Sequence, residues 1–327
     1  MQDNLKTEYK RGISINMSIT IKEAERDLSI LLDKEKLCIF AGSGISVDSG
    51  LPKWDGFIIK YKEICEEIIK INKEHLESNE IKKFDEIVND VNDFIDRDII
   101  ATATALRDII TNLAKYDVSK RIYNLKMTDL FGNKNFNKYH KAIVDTNYKY
   151  IITTNYDDLL YRAAVDSNYI DLQKRFYTQE NIREISEAIY KEEPAMIHMH
   201  GMFPEIRLED FIIFTKEEYK LIKDKNPGFR ILMNSIFMNY SILFVGYGSS
   251  DPHLEDIIED LNMTLKWHNS EDNFVLPRYY LLILKEKLSP IFDHIKDKNR
   301  TKVVPVDEYG DMLTLLERLQ KDHPRKK

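Results

Sequence analysis

Two polar segments of this 327-residue chain hold side chains able to do chemistry, and glycine-rich turns stand beside them. The first is Thr153-Thr154-Asn155-Tyr156-Asp157-Asp158, directly after the apolar run Tyr150-Ile151-Ile152. Asn155 and Asp157 suit two roles. Either can cap a following helix, or the pair can hold a ribose and orient a reacting water at a strand end. The second is His198-Met199-His200-Gly201. An imidazole with an ordinary pKa of about 6.5 can accept a proton at neutral pH, which suits His200. If a strand runs through both histidines they share a face, so a metal pair is a further reading, but no third ligand stands at a recognisable spacing.

The glycines add a binding function. Of the 11 in the chain, Gly42, Gly44, Gly50, Gly201, Gly246 and Gly248 fall in three short segments, each behind an apolar run. Glycine allows a sharp turn or the close approach of a ligand. Ala41-Gly42-Ser43-Gly44-Ile45-Ser46 could present backbone N–H groups to a pyrophosphate at a helix N-terminus. It departs from the dehydrogenase fingerprint, because Val47 occupies the place of the third glycine, and it lacks the Lys-Ser/Thr of an NTPase loop. A purely structural tight turn is the alternative. In Val245-Gly246-Tyr247-Gly248-Ser249-Ser250-Asp251-Pro252, Asp251 could accept from a ribose hydroxyl or cap the next helix.

The elements that must position these groups follow from hydrophobic patterning. Leu37–Ala41, Tyr150–Thr153, Ala195–Met199, Phe211–Phe214, Ile242–Val245, Tyr279–Leu284 and Val303–Val306 are compact apolar runs of strand length. Helical spacing over 21–32 and between several of these runs predicts an alternating α/β chain, a Rossmann-like parallel sheet with helices on both faces. Thr215-Lys216-Glu217-Glu218 reads as a capping box, and Asp251-Pro252 as another helix start. In residues 57–145 apolar positions recur only at helical spacing, including Ile64, Ile68, Phe84, Val88, Leu106 and Ile110. The expected organisation is a flexible N-terminal arm over 1–20, an α/β domain over 21–56 and 146–327, and a helical insertion over 57–145. Ligands of open parallel sheets bind outside the carboxyl ends of the strands, where the polar and glycine-rich segments would meet.

Composition narrows the function classes. With 48 basic and 55 acidic residues the formal charge is -7, which argues against a protein that coats nucleic acid, so direct nucleic-acid binding is not expected. Cys38 and Cys65 are the only cysteines, so a Cys-based zinc site or a disulfide framework cannot be built and a reducing, cytoplasmic setting is expected. No signal peptide shows, and the apolar runs are too short to span a bilayer, so no membrane association is expected. The basic tail His323-Pro324-Arg325-Lys326-Lys327 reads as a short solvated terminus.

Taken in order, the segments resemble the sirtuin superfamily. Gly42-Ser43-Gly44-Ile45-Ser46 is similar to that family's Gly-Ala-Gly-Ile-Ser, Gly50-Leu51-Pro52 to its Gly-Ile-Pro, and Thr153-Thr154-Asn155-Tyr156-Asp157 to its Thr-Gln-Asn-Ile-Asp. His200-Gly201 is similar to its His-Gly, and Gly246 to Asp251 holds the place of its Gly-Thr-Ser. The departures are Lys53-Trp54-Asp55 where Asp-Phe-Arg is expected, and the helical insertion where deacylases carry a four-Cys zinc module. Gly-Leu-Pro-x-Trp, Thr-Thr-Asn-Tyr-Asp and Gly-Tyr-x-x-Ser-Asp-Pro look more like zinc-less bacterial sirtuin-like NAD hydrolases of anti-phage defence.

That resemblance implies NAD as substrate, no zinc, and catalysis by Asn155, His200 and Asp157. It implies a binding site built from Ala41, Gly42, Ser43, Gly44, Ser46, Pro52, Trp54, Asn155, Asp157, Gly246, Ser249 and Asp251. Cleavage of the nicotinamide–ribose bond would give nicotinamide and ADP-ribose. Alternatives are a non-catalytic NAD or ADP-ribose sensor, and ADP-ribosyl transfer or NAD-dependent deacylation. An unregulated NAD hydrolase would kill its host, and 327 residues leave little room for a separate sensor. Activation is therefore expected through homo-oligomerisation or a partner such as a HerA-type ATPase, an Argonaute-like protein or a phage protein.

Overall fold

The computed structural model describes residues 18–132, 134–202, 212–247, 257, 279–288 and 301–326. Gly248, Ser249, Asp251, the expected helix start at Asp251-Pro252 and residues 1–17 of the N-terminal arm lie outside this set.

The chain builds one seven-stranded parallel sheet: β1 (Leu37–Ala41), β2 (Tyr150–Thr153), β3 (Phe176–Thr178), β4 (Ala195–His198), β5 (Ser241–Val245), β6 (Tyr279–Leu284) and β7 (Thr301–Val306), in the order β3-β4-β2-β1-β5-β6-β7. The Rossmann-like expectation is borne out. β1 is the point where the winding reverses: Phe40 stands opposite Ile152 of β2 on one side and Phe244 of β5 on the other. β1, β2, β4, β5 and β6 are buried along their whole length, as their unbroken apolar runs require in a sheet covered on both faces.

Alternation along the strands divides the core in two. Ile39, Ile151, Leu243 and Val304 pack with Leu28 of α1 (Ile21–Asp33), Ile143 of α6 (Lys138–Asp145), Ala163 of α7 (Leu159–Asp166) and Leu315 of α12 (Tyr309–Asp322). Phe40, Ile152, Ile197 and Phe244 pack with Ile185 of α9 (Ile182–Tyr190), Ile222 of α10 (Lys216–Lys225) and Phe237 of α11 (Pro227–Asn239). The short α8 (Ile170–Lys174) leads into β3.

A third core belongs to α2 (Trp54–Asn72), α3 (Ser78–Phe94), α4 (Ile99–Leu113) and α5 (Asp117–Phe131). Tyr61, Ile68, Val88, Leu106, Ile110 and Tyr123 fill it, and Tyr156, Leu159, Ile212 and Phe214 from the α/β part complete it. α6, which helical spacing groups with the insertion, packs instead on the sheet through Tyr139, Ala142, Ile143 and Val144.

Two other expectations give way. Residues 212–214 are not a strand. They are buried because they seal the insertion against the sheet. Their backbone is served from outside any ladder: Tyr156 Oη donates to the Ile213 carbonyl at 2.7 Å, and Glu218 Oε2 accepts from Phe214 N–H at 3.0 Å. Glu218 also completes the expected capping box with Thr215.

Within the C-terminal tail, Arg325 is not solvated. Arg325 is 8% exposed, donating from Nε to the Val144 carbonyl at 2.8 Å and from Nη2 to the Tyr148 carbonyl at 2.9 Å. Its own N–H bonds to the Asp145 carbonyl. The cation thus satisfies carbonyls at the end of α6 that no helical partner can reach. Arg325→Ala should lower unfolding free energy by about 2–4 kcal/mol, since buried acceptors lose a charged donor. Urea denaturation measures it, and an unchanged midpoint would contradict the clamp.

Candidate active site

The carboxyl ends of β1, β2, β4 and β5 meet at a cavity of about 420 Å³, within the range of small-ligand sites. Gly42, Ser43, Gly44, Ser46, Pro52, Trp54, Asn155, Asp157, His200 and Gly246 all line it. Ala41 does not. It is buried inside β1, and its carbonyl accepts from Thr153 Oγ1 at 2.7 Å.

Gly42, Gly44 and Gly246 are required where two loops approach each other closely. A Cβ on Gly42 would stand 2.5 Å from the Gly246 carbonyl oxygen, one on Gly44 2.8 Å from Gly246 Cα, and one on Gly246 2.7 Å from Ile45 N. Gly246 also needs its φ of +64°. The loops after β1 and β5 therefore interlock backbone against backbone. Gly42 N–H bonds to the Val245 carbonyl and Gly44 N–H to the Gly246 carbonyl, both at 2.9 Å. These two amides are taken, so a pyrophosphate on this loop would have to use other donors, such as the Ser43 side chain.

Asn155 is held at three of its four polar atoms. Its N–H donates to Thr153 Oγ1 at 3.0 Å, its carbonyl lies 3.2 Å from His198 Nδ1, and its Nδ2 donates to Ser46 Oγ at 3.2 Å. The fourth atom, Oδ1, is buried with no hydrogen-bond partner among the described residues. A buried acceptor left open at a cavity wall is costly unless a ligand completes it.

Ser46 fixes which way that amide points. Its hydroxyl donates its single proton to Asp157 Oδ2 at 2.8 Å, so it must accept from both Asn155 Nδ2 and His140 Nε2, the latter at 3.2 Å. Asp157 Oδ1 takes the Leu159 N–H, the capping role also foreseen for it. Burial raises the Asp157 pKa to about 6, against the lowering effect of the Ser46 hydrogen bond. Burial alone lowers that of His140 to about 3. When Asp157 is protonated it can donate to Ser46, which can then donate to His140 Nε2. The His140 proton then sits on Nδ1, 3.0 Å from Asn137 Oδ1. His140, at the start of α6, was hidden in the sequence because nothing in its helical pattern marks it as polar and functional.

His200 lies beyond the end of β4, in a turn whose next residue, Gly201, has φ +85°. Its ring meets Tyr219 edge-on, with centroids 5.5 Å apart at 89°, and Tyr156 at 6.3 Å. Burial lowers its pKa to about 3, well below the ordinary value assumed from sequence. It is neutral at physiological pH. His198, where the strand ends, packs on Phe176 instead, so the two imidazoles have different neighbours and do not form the pair that a continuous strand would give. Among the described residues no group of three or more His, Cys, Asp or Glu is assembled to hold a metal.

The insertion supplies walls that the sequence did not single out: Phe57, Ile99 and Phe131. Trp54 stacks on Phe57 at 5.5 Å, and Phe57 meets Tyr156 at a 47° tilt with centroids 5.7 Å apart, which ties the insertion to the residue after Asn155. Leu282, Lys287, Tyr309 and Met312 also line the cavity. No spacing signal could have placed them, because they come from β6, the turn after it and α12 through the winding of the sheet.

Residues 149–299 match the family model of the SIR2-like domain. The matched stretch of that domain contains Asn155, Asp157, His200 and Gly246, whereas the Gly42 loop and His140 precede it. Relatives include proteins named NAD(+) hydrolase ThsA from Cytobacillus dafuensis and from Enterococcus faecium, each 23% identical over 90% of this chain. Defense-associated sirtuin 2 of Bacillus subtilis is 24% identical over 80% of it. The chain spans 55% and 57% of the length of the two hydrolases and 22% of the third protein. Among the described residues, no helix is long and apolar enough to cross a membrane.

Gly42→Ala should destabilise the protein by about 1–3 kcal/mol through overpacking of two backbones. Gly50→Ala, where φ is +80° but nothing lies within 4 Å of a new Cβ, should cost about 1–2 kcal/mol from conformation alone and leave the cavity intact. Thermal unfolding with ligand titration separates the two; Gly42→Ala binding and unfolding like the parent would refute the interlock.

Proposed function

We propose that this chain hydrolyses NAD at the nicotinamide–ribose bond, releasing nicotinamide and ADP-ribose, in defence against phage. The observation that carries the reading is Asn155: a residue held at its N–H, its carbonyl and its Nδ2, with one buried acceptor open at a cavity wall shared with His200. The names of the relatives support both the substrate and the setting.

The leaving group is already cationic, so the C1′–N bond breaks with its electron pair returning to the pyridinium nitrogen, and no strong acid is needed. Asn155 Oδ1 accepts from a ribose hydroxyl or the attacking water and fixes its direction. The Asp157 carboxylate, low in polarity around it, favours the positive charge that develops on the sugar. As water bonds to C1′ it becomes strongly acidic, so even the weakly basic, neutral His200 can take its proton. General-base help of this kind is worth about 10²–10⁴-fold.

Asn155→Ala and His200→Ala should each lower nicotinamide release by at least about 10²-fold, read by an NAD-consumption assay; full turnover in either removes the assignment. The raised pKa of Asp157 sets the pH dependence. As pH falls through about 6 the carboxylate is protonated and turnover should fall with it. His200, already neutral, adds no limb between about pH 5 and 8. A flat profile across that window would exclude Asp157 as the charge that matters.

Control through assembly or a partner belongs to the same reading. Phe94 and Leu125 of the insertion are 46% and 59% exposed and offer apolar contact. Light scattering on the purified protein tests this, and a strict monomer with full activity would refute it.

A further inference from the structure

Of the three restraints on Asn155, the one at its carbonyl comes from a side chain with no part in the cavity. His198 is fully buried at the end of β4, where Thr178 of the edge strand β3 stands opposite it. Its ring rests on Phe176, centroids 4.8 Å apart at 54°. Nδ1 lies 3.2 Å from the Asn155 carbonyl oxygen, and Nε2 is buried with no hydrogen-bond partner among the described residues.

That arrangement is poor economy for packing alone. An apolar ring of similar size would fill the space against Phe176 without leaving a buried nitrogen unsatisfied. The one polar act of the imidazole among the described residues is its contact with Asn155. Because a carbonyl only accepts, Nδ1 must carry the proton, which leaves Nε2 as the bare lone pair. Burial lowers the His198 pKa to about 4, so this neutral tautomer holds throughout the neutral range.

We propose that His198 is a positioning residue: by donating from Nδ1 to the Asn155 carbonyl it fixes the peptide plane that aims the Asn155 side chain at the reacting sugar. Thr153 holds the amide side of the same residue and Ser46 the tip of its side chain. With the carbonyl released, the segment between β2 and α7 can rotate about the remaining two points, and Oδ1 moves off line. The effect belongs to the chemical step, because His198 itself does not line the cavity where substrate would bind. The inference rests on the proposed NAD hydrolysis for its kinetic readout, but the hydrogen bond itself can be tested without turnover.

Three variants separate positioning from packing. His198→Asn keeps a donor at the place of Nδ1, His198→Phe keeps the ring and removes the donor, and His198→Gln offers a donor only at the place of Nε2. His198→Phe and His198→Gln should lose about tenfold or more in kcat, with KM for NAD within about twofold. His198→Asn should recover kcat to within about threefold of the parent. Parental kcat in His198→Phe, or His198→Asn as slow as His198→Phe at equal thermal stability, would overturn the proposal.

Nitrogen-15 NMR of the wild-type histidines provides a readout independent of folding in the variants. A protonated Nδ1 and bare Nε2 at His198, assigned by its loss in His198→Asn, is expected; the opposite tautomer overturns the contact. If the parent protein binds NAD without releasing nicotinamide, the functional reading fails, and the tautomer still decides the fate of the hydrogen bond.

Discussion

Everything at the site depends on β1 being paired in parallel on both sides by strands that arrive from opposite halves of the winding. β2 follows the long helical excursion and β5 follows β4, yet Ala41 stands opposite Thr153 on one flank and Val245 on the other. The loops leaving these strands must diverge above β1, which opens the crevice that parallel sheets use for ligands. Here the divergence is limited by the backbone contacts of Gly42, Gly44 and Gly246. The result is a floor with little freedom, from which the polar residues of neighbouring strands rise.

On that floor the polar groups are arranged so that each holds another. Ser46 has one proton to give and gives it to Asp157, and that single fact determines the direction of the Asn155 amide and the tautomer of His140. Burial sets the charges: a carboxyl raised to about 6 beside imidazoles lowered to about 3. The site therefore concentrates its capacity for charge in one carboxylate, and the histidines act as neutral dipoles. This division would not be guessed from residue types, since an isolated histidine would be taken as the titrating group.

Much of the architecture was legible because burial on both faces leaves a plain mark. β1, β2, β4, β5, β6 and β7 are apolar runs bounded by polar or glycine residues, and their alternation with helices implied a parallel sheet. β3 escaped notice because three half-buried residues at an edge carry no periodic signal. Phe211–Phe214 misled for the complementary reason: an apolar run marks burial, and burial here is met by a loop whose carbonyl is served by Tyr156. The gathering of Asn155, Asp157, His200 and the glycines in one place followed from strand ends. The function of the glycines did not, since a sequence cannot say whether the missing Cβ makes room for a ligand or for another loop. Arg325 was read as solvated because charge usually is; its binding to carbonyls at the end of α6 depends on a chain terminus returning to that point.

The seam between the helical insertion and the sheet has a broader meaning. Tyr156, the neighbour of Asn155 in the chain, is part of the insertion's hydrophobic core, along with Leu159 and Phe214. Excising the helices would strip these side chains of their covering and leave a sticky scar beside the Asn155 amide. Nor could a foreign module be grafted there without matching that surface. The insertion is thus no detachable ornament on an α/β scaffold, and any force that shifts its helices is felt one peptide bond away from Asn155.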